Sequence, residues 1–156
     1  MTLASFNAAP ADEARAVMLD CCASHRFAAM MTAGRPYPSP DAAGQAVETV
    51  FASLDWADVT EAMDGHPRIG ARAAGQSAAE QSGVADGTRA ALAAGNAEYE
   101  ARFGHVFLIC ATGLSGTDML AALRQRLDND ETAERGAATA ELRKITVLRV
   151  RKALAR

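Results

Sequence analysis

Leu92-Ala93-Ala94-Gly95-Asn96-Ala97-Glu98-Tyr99-Glu100-Ala101-Arg102-Phe103-Gly104 runs straight into His105-Val106-Phe107-Leu108-Ile109-Cys110-Ala111. Leu92, Asn96, Tyr99 and Phe103 recur at helical spacing and form one face. Asp86 or Thr88 starts this helix, and Gly104 ends it. The run 105–111 is short, apolar and strand-like, although periodicity alone does not distinguish a buried strand from other buried segments. One long helix followed by one extended apolar connector is the pattern on which the fold reading turns.

The same helical reading extends in both directions. Pro10 with Asp12 and Glu13 opens a helix that runs to Cys22. A second runs from Ser24 to Ala33 and stops at Gly34, because Arg35-Pro36-Tyr37-Pro38-Ser39-Pro40 cannot remain helical. Ser39-Pro40-Asp41 starts a helix over 41–53, and Asp55 caps another over 56–64 that ends at Gly65. Beyond the connector, helices are expected over 116–128 and 130–154, with Ser115 or Thr117 as an N-cap. The class is all-α: a single-domain helical bundle over 1–156 with one short extended apolar connector.

Composition agrees. Apolar residues make up 49% of the 156-residue chain but aromatics only 5%, so alanine carries the helices and predicts close packing. A net charge of −3 argues against nucleic-acid binding. No apolar stretch approaches the ~18–20 residues of a membrane span, and the first residues do not read as a signal peptide. Cys21, Cys22 and Cys110 are odd in number and read as reduced thiols of a cytoplasmic protein. The histidines at 25, 66 and 105 are scattered, with neither CxxC nor HExxH spacing, so no metal site is expected.

Chemistry concentrates at Gly65-His66-Pro67-Arg68-Ile69-Gly70. A residue before proline is pushed towards extended geometry, so His66 is presented on a stiff loop. Histidine is suited to proton transfer near neutral pH, but a lone loop histidine is also commonly inert. Ser77-x-x-Glu80 reads as a capping box, while Ser77, Glu80 and Gln81 also project to one side of a helical turn. Asn96 either ties down a neighbouring loop or meets a ligand. Arg149, within the stripe of Leu142, Ile145 and Ala153, either snorkels to water or grips a carboxylate.

Taken in order, these pieces resemble one family. They are His66-Pro67-Arg68-Ile69-Gly70, Ser77-Ala78-Ala79-Glu80-Gln81, Asn96-x-x-Tyr99-x-x-Arg102-Phe103-Gly104, Val106-Phe107-Leu108-Ile109, and Glu141-Leu142-Arg143-Lys144-Ile145 with Leu148-Arg149-Val150. The set is similar to that of the 2-oxo-4-hydroxy-4-carboxy-5-ureidoimidazoline (OHCU) decarboxylases of urate breakdown, over most of the chain. The resemblance implies an all-helical, cofactor-free and usually dimeric enzyme that acts after urate oxidase and hydroxyisourate hydrolase. It releases CO2 to give (S)-allantoin. His66 matches the family's catalytic histidine and Glu80 its acidic partner. Pro67, Ser77 and Gln81 match substrate-binding positions. His105, Val106, Phe107, Leu108 and Ile109 match a stretch whose backbone contacts substrate, and Arg149 matches an arginine near the pocket. The linker from His66 to Ser77 is shorter than in the animal enzymes, and His105 stands where an aromatic is common. Three rivals compete with this reading: a non-enzymatic helical interaction module, a hydrolase or isomerase acting on a related ureide, and a metal-dependent hydrolase.

Overall fold

The computed structural model describes residues 1–66 and 86–156. Among these residues all regular structure is helical: α1 (Leu3–Ala8), α2 (Ala11–Cys21), α3 (His25–Ala33), α4 (Pro40–Phe51), α5 (Trp56–Asp64), α6 (Asp86–Phe103), α7 (Gly116–Leu127) and α8 (Glu131–Leu154). The all-α expectation is met, and seven of these helices start or stop within a residue or two of the sequence reading. None is long and apolar enough to cross a membrane. The expected turn at Ser77–Gln81 lies outside the described residues.

Two compact units divide the chain, Met1–Ala62 with Arg143–Arg156, and Met63–Leu142. In the first, α2 packs on α3 and α3 on α4. Ser24 and Ser39 accept from the backbone N–H of Phe27 and Ala42, so each helix start is fixed by a side-chain oxygen. Asp55 and Asp58 exchange reciprocal side chain–backbone bonds (2.9 and 3.0 Å) at the start of α5. Phe6, Met18, Phe27, Met31 and Val47 are fully buried, and Phe27 meets Phe51 edge-on at 5.8 Å.

Helix α1 is absent from the sequence reading, because six residues carry too little periodicity to register. Its stability comes from elsewhere. Arg35 Nη1 donates to the Phe6 and Ala9 carbonyls (both 2.7 Å). Asn7 and Tyr37 exchange two side chain–backbone bonds of 2.9 Å each. The orphan carbonyls at the end of α1 are thereby satisfied by a loop some 30 residues further on.

In the second unit α6 packs on α7. Gly95 allows the close approach: a Cβ there would lie 2.5 Å from Leu123 Cδ2. Gly104 has φ +79°, and its N–H bonds to the Glu100 carbonyl at 2.9 Å, which closes α6 in the left-handed conformation that glycine favours. Ser115 and Asp118 form a full capping box at the start of α7, which settles the N-cap on Ser115.

Candidate functional site

His66 lies just past the end of α5. Its backbone N–H closes on the Met63 carbonyl at 2.9 Å, and the residue is half-buried. Pro67, Arg68, Ser77, Glu80 and Gln81 lie outside the described residues. The histidine's placement is therefore given, and that of its expected acidic partner is not.

The connector His105–Ala111 belongs to no helix or strand, and Phe107, Leu108, Ile109 and Ala111 are buried. With Leu92, Tyr99, Met119 and Leu123, the residues Phe107, Ile109 and Ala111 build a core cluster of the second unit. His105 behaves as the aromatic it replaces. Its ring stacks on Phe103 (6.3 Å between centroids) and meets Tyr99 edge-on at 5.5 Å. Its Nδ1 lies 3.0 Å from the carbonyl oxygen of Val106.

Directly beneath the connector lies a polar network that the sequence reading missed. Arg126 donates through Nε (2.8 Å) and Nη2 to Glu134 Oε1, and through Nη1 to the Leu108 carbonyl. Tyr99 donates its hydroxyl to the same Glu134 oxygen, and Asn129 Nδ2 donates to the other at 3.1 Å. The Glu134 side chain is wholly buried and that of Arg126 is 10% exposed. The guanidinium lies over the Phe107 ring at 4.6 Å, a cation–π contact. Burial, followed by the bond to Glu134, pushes the Tyr99 hydroxyl well above its ordinary pKa, so it stays a donor. A second carboxylate on α8, Glu141, accepts from the Cys110 backbone N–H at 3.2 Å.

The signal for this network was present but weak. Met119, Leu123 and Arg126 fall at i, i+4 and i+7 on α7, so the arginine occupies a core position. Glu134 precedes Ala138 and Leu142 by four and eight residues on α8, again on the apolar face. Each charge reads alone as solvent-facing, and only their pairing accounts for both.

Asn96 is buried at 3% exposure within the predicted stripe of α6, whose Leu92 and Tyr99 are fully buried. Arg149 belongs to the first unit and is 8% exposed, so it is held in the protein rather than snorkelling to water. It lies near Cys21 and Cys22. Burial pushes these thiols up to about 12 and about 11, the Arg149 charge pulling the other way more weakly. None of the three cysteines is in a disulfide.

These features describe an all-α protein with a candidate proton-transfer histidine on a turn and a candidate binding edge made of backbone. The family model described as OHCU decarboxylase matches residues 7–151, and the chain belongs to that family. It is 35% identical, over 144 residues and 85% of its length, to the "Uric acid degradation bifunctional protein TTL" of Arabidopsis thaliana. Over 55 residues, 35% of its length, it is 42% identical to the "2-oxo-4-hydroxy-4-carboxy-5-ureidoimidazoline decarboxylase" of Amia calva. The matches span 44% of the plant protein and 31% of the fish protein, less than half of each. Among solved structures it is similar to an OHCU decarboxylase crystallised in the presence of (S)-allantoin. That match has a TM-score of 0.79 and 31% identity, and covers 88% of this chain and 96% of the other.

Proposed function

We propose that this chain decarboxylates 2-oxo-4-hydroxy-4-carboxy-5-ureidoimidazoline to (S)-allantoin as a single functional domain, without a cofactor. The observation that carries the reading is the similarity to an OHCU decarboxylase solved with (S)-allantoin, which extends over nearly the whole of that chain. The bond from the ring carbon to the carboxylate breaks and CO2 leaves. Its electron pair passes into the conjugated imidazolinone, so the substrate itself is the electron sink. One proton then adds to one face of the ring and sets the (S) centre.

The protein's work is to hold the carboxylate out of conjugation and to deliver that proton. His66, with Pro67 fixing its direction, is the proton-transfer group, and Glu80 orients it and stabilises its charge. Ser77, Gln81 and the peptide groups of residues 105–109 bind the ureido and ring amides. Arg149 has the carboxylate-gripping role that the family resemblance implies, in line with the planar fork of its guanidinium. The working form is a homodimer in the cytoplasm.

The test is to add the purified chain to freshly generated substrate and follow ultraviolet decay, CO2 release and circular dichroism of the product. The chain accelerates all three, and His66→Asn leaves the helical signal intact while abolishing stereospecific allantoin formation. Wild-type turnover by that variant removes His66 from the mechanism. Failure of the unmodified chain to release CO2 overturns the reading.

A further inference from the structure

We infer that the buried Arg126–Glu134 pair, clamped by Tyr99, is a positioning device that fixes which way the peptide groups of residues 107–109 face. The inference rests on the decarboxylase reading above, in which those groups bind substrate.

The pair is not needed to fill space. A leucine at 126 would continue the Met119–Leu123 stripe, and apolar replacements of buried ion pairs are often neutral or stabilising. What an apolar residue cannot supply is direction. The guanidinium is planar and its donors form a rigid fork. With Nε and Nη2 both on Glu134, the direction of Nη1 is fixed, and it ends on the Leu108 carbonyl. Glu134 is in turn held by Tyr99 and Asn129, so the fork has little freedom to swing.

The connector has need of such a device. Among the described residues it lies in no strand, and no ladder of backbone bonds sets its orientation. Side-chain anchors hold it there: Arg126 on the Leu108 carbonyl and Glu141 on the Cys110 N–H. The anchored residues are two apart. In extended backbone, residues two apart turn their peptide groups to the same edge and the residues between turn theirs to the other. With the connector extended, as its sequence predicts, anchoring 108 and 110 directs the N–H and C=O groups of Phe107 and Ile109 to the opposite edge, as a ledge of alternating donors and acceptors that suits a ureide.

The test compares Arg126→Lys, Tyr99→Phe and, as a control, Val47→Ala, a fully buried core position in the first unit. Lysine keeps the charge but not the fork. Each variant is assayed below its melting temperature for kcat, KM and optical purity of product, and amide exchange is followed at residues 107–110. Arg126→Lys raises KM about tenfold while kcat changes less than about threefold, and it accelerates exchange at 107–110. Tyr99→Phe does the same to a smaller extent. Val47→Ala lowers the melting temperature only. If the unmodified chain turns substrate over and Arg126→Lys retains its KM and exchange pattern, the positioning inference fails alone. If the unmodified chain has no turnover, the decarboxylase reading fails and takes the substrate-facing part of this inference with it. Should Arg126→Lys not fold, Tyr99→Phe decides by the same readouts.

Discussion

Replacing Glu134 with leucine tests the energetics of the buried network. The substitution removes a carboxylate that is fully buried and accepts from Tyr99, Arg126 and Asn129. Its main cost is the stranding of Arg126, whose side chain is 10% exposed and cannot reach enough water to compensate. Breaking a buried pair at one partner costs about 3–5 kcal/mol. For a chain of this size that is a fall of roughly 6–20 °C in melting temperature, at ~2–4 °C per kcal/mol. Adding Arg126→Met to Glu134→Leu removes the stranded charge. The Tyr99 hydroxyl has already lost its acceptor in the single variant, so the one new orphan is the Leu108 carbonyl. That orphan costs about 1–3 kcal/mol, so the double variant recovers about half of the loss. Urea unfolding of the two single variants and the double variant, analysed as a double-mutant cycle, gives the coupling directly. A loss below about 1 kcal/mol for Glu134→Leu would refute the argument, as would a double variant less stable than the single.

Three further outcomes follow from the site, the α6 terminus and the thiols. Glu80→Gln lowers turnover by about a hundredfold or more in a steady-state assay, whereas a change under about threefold would leave Glu80 as a helix cap only. Gly104→Ala costs about 1–2 kcal/mol by urea titration, because the added Cβ meets nothing within 4 Å and only the left-handed backbone opposes it. Cys21 and Cys22 favour the neutral thiol in the folded state, so their contribution to stability is complete below their ordinary value of 9.0. It is lost as pH rises through about 11 and about 12, so the urea midpoint declines above pH 9 and native alkylation stays slow below it.

Helices announced themselves wherever a cap and a stripe coincided. Ser24, Ser39, Asp55 and Ser115 each sit where a side-chain oxygen meets an open N–H, and each marked a start correctly. α1 lacked that redundancy, since its stability depends on Arg35 and Tyr37 rather than on its own six residues. The connector was legible as an apolar run, but its anchors were not. Arg126 and Glu134 are eight residues apart on different helices, and nothing local distinguishes a core ion pair from two surface charges. His66 was legible as a residue beyond a helix end, and it follows α5 with its backbone N–H on the Met63 carbonyl, while the rest of its expected loop lies outside the described residues. The partnership expected for it with Glu80 rests on family resemblance alone, and Glu80 lies outside the described residues.

The dependence of α1 on residues 35–37 also orders events in time. A six-residue helix is far below the length at which isolated helices persist in water. α1 leaves the ribosome before residues 35–37, and it has no partner for its terminal carbonyls until Arg35 follows, and no stack for Phe6 until Tyr37 arrives. It therefore waits as coil while α2 and α3 form, and then closes onto Arg35 and Tyr37 as a late clasp. A chain stalled with residues up to about 34 exposed should have α2 and α3 in contact and residues 3–9 open to protease, and exposure of residues 35–37 should seal them.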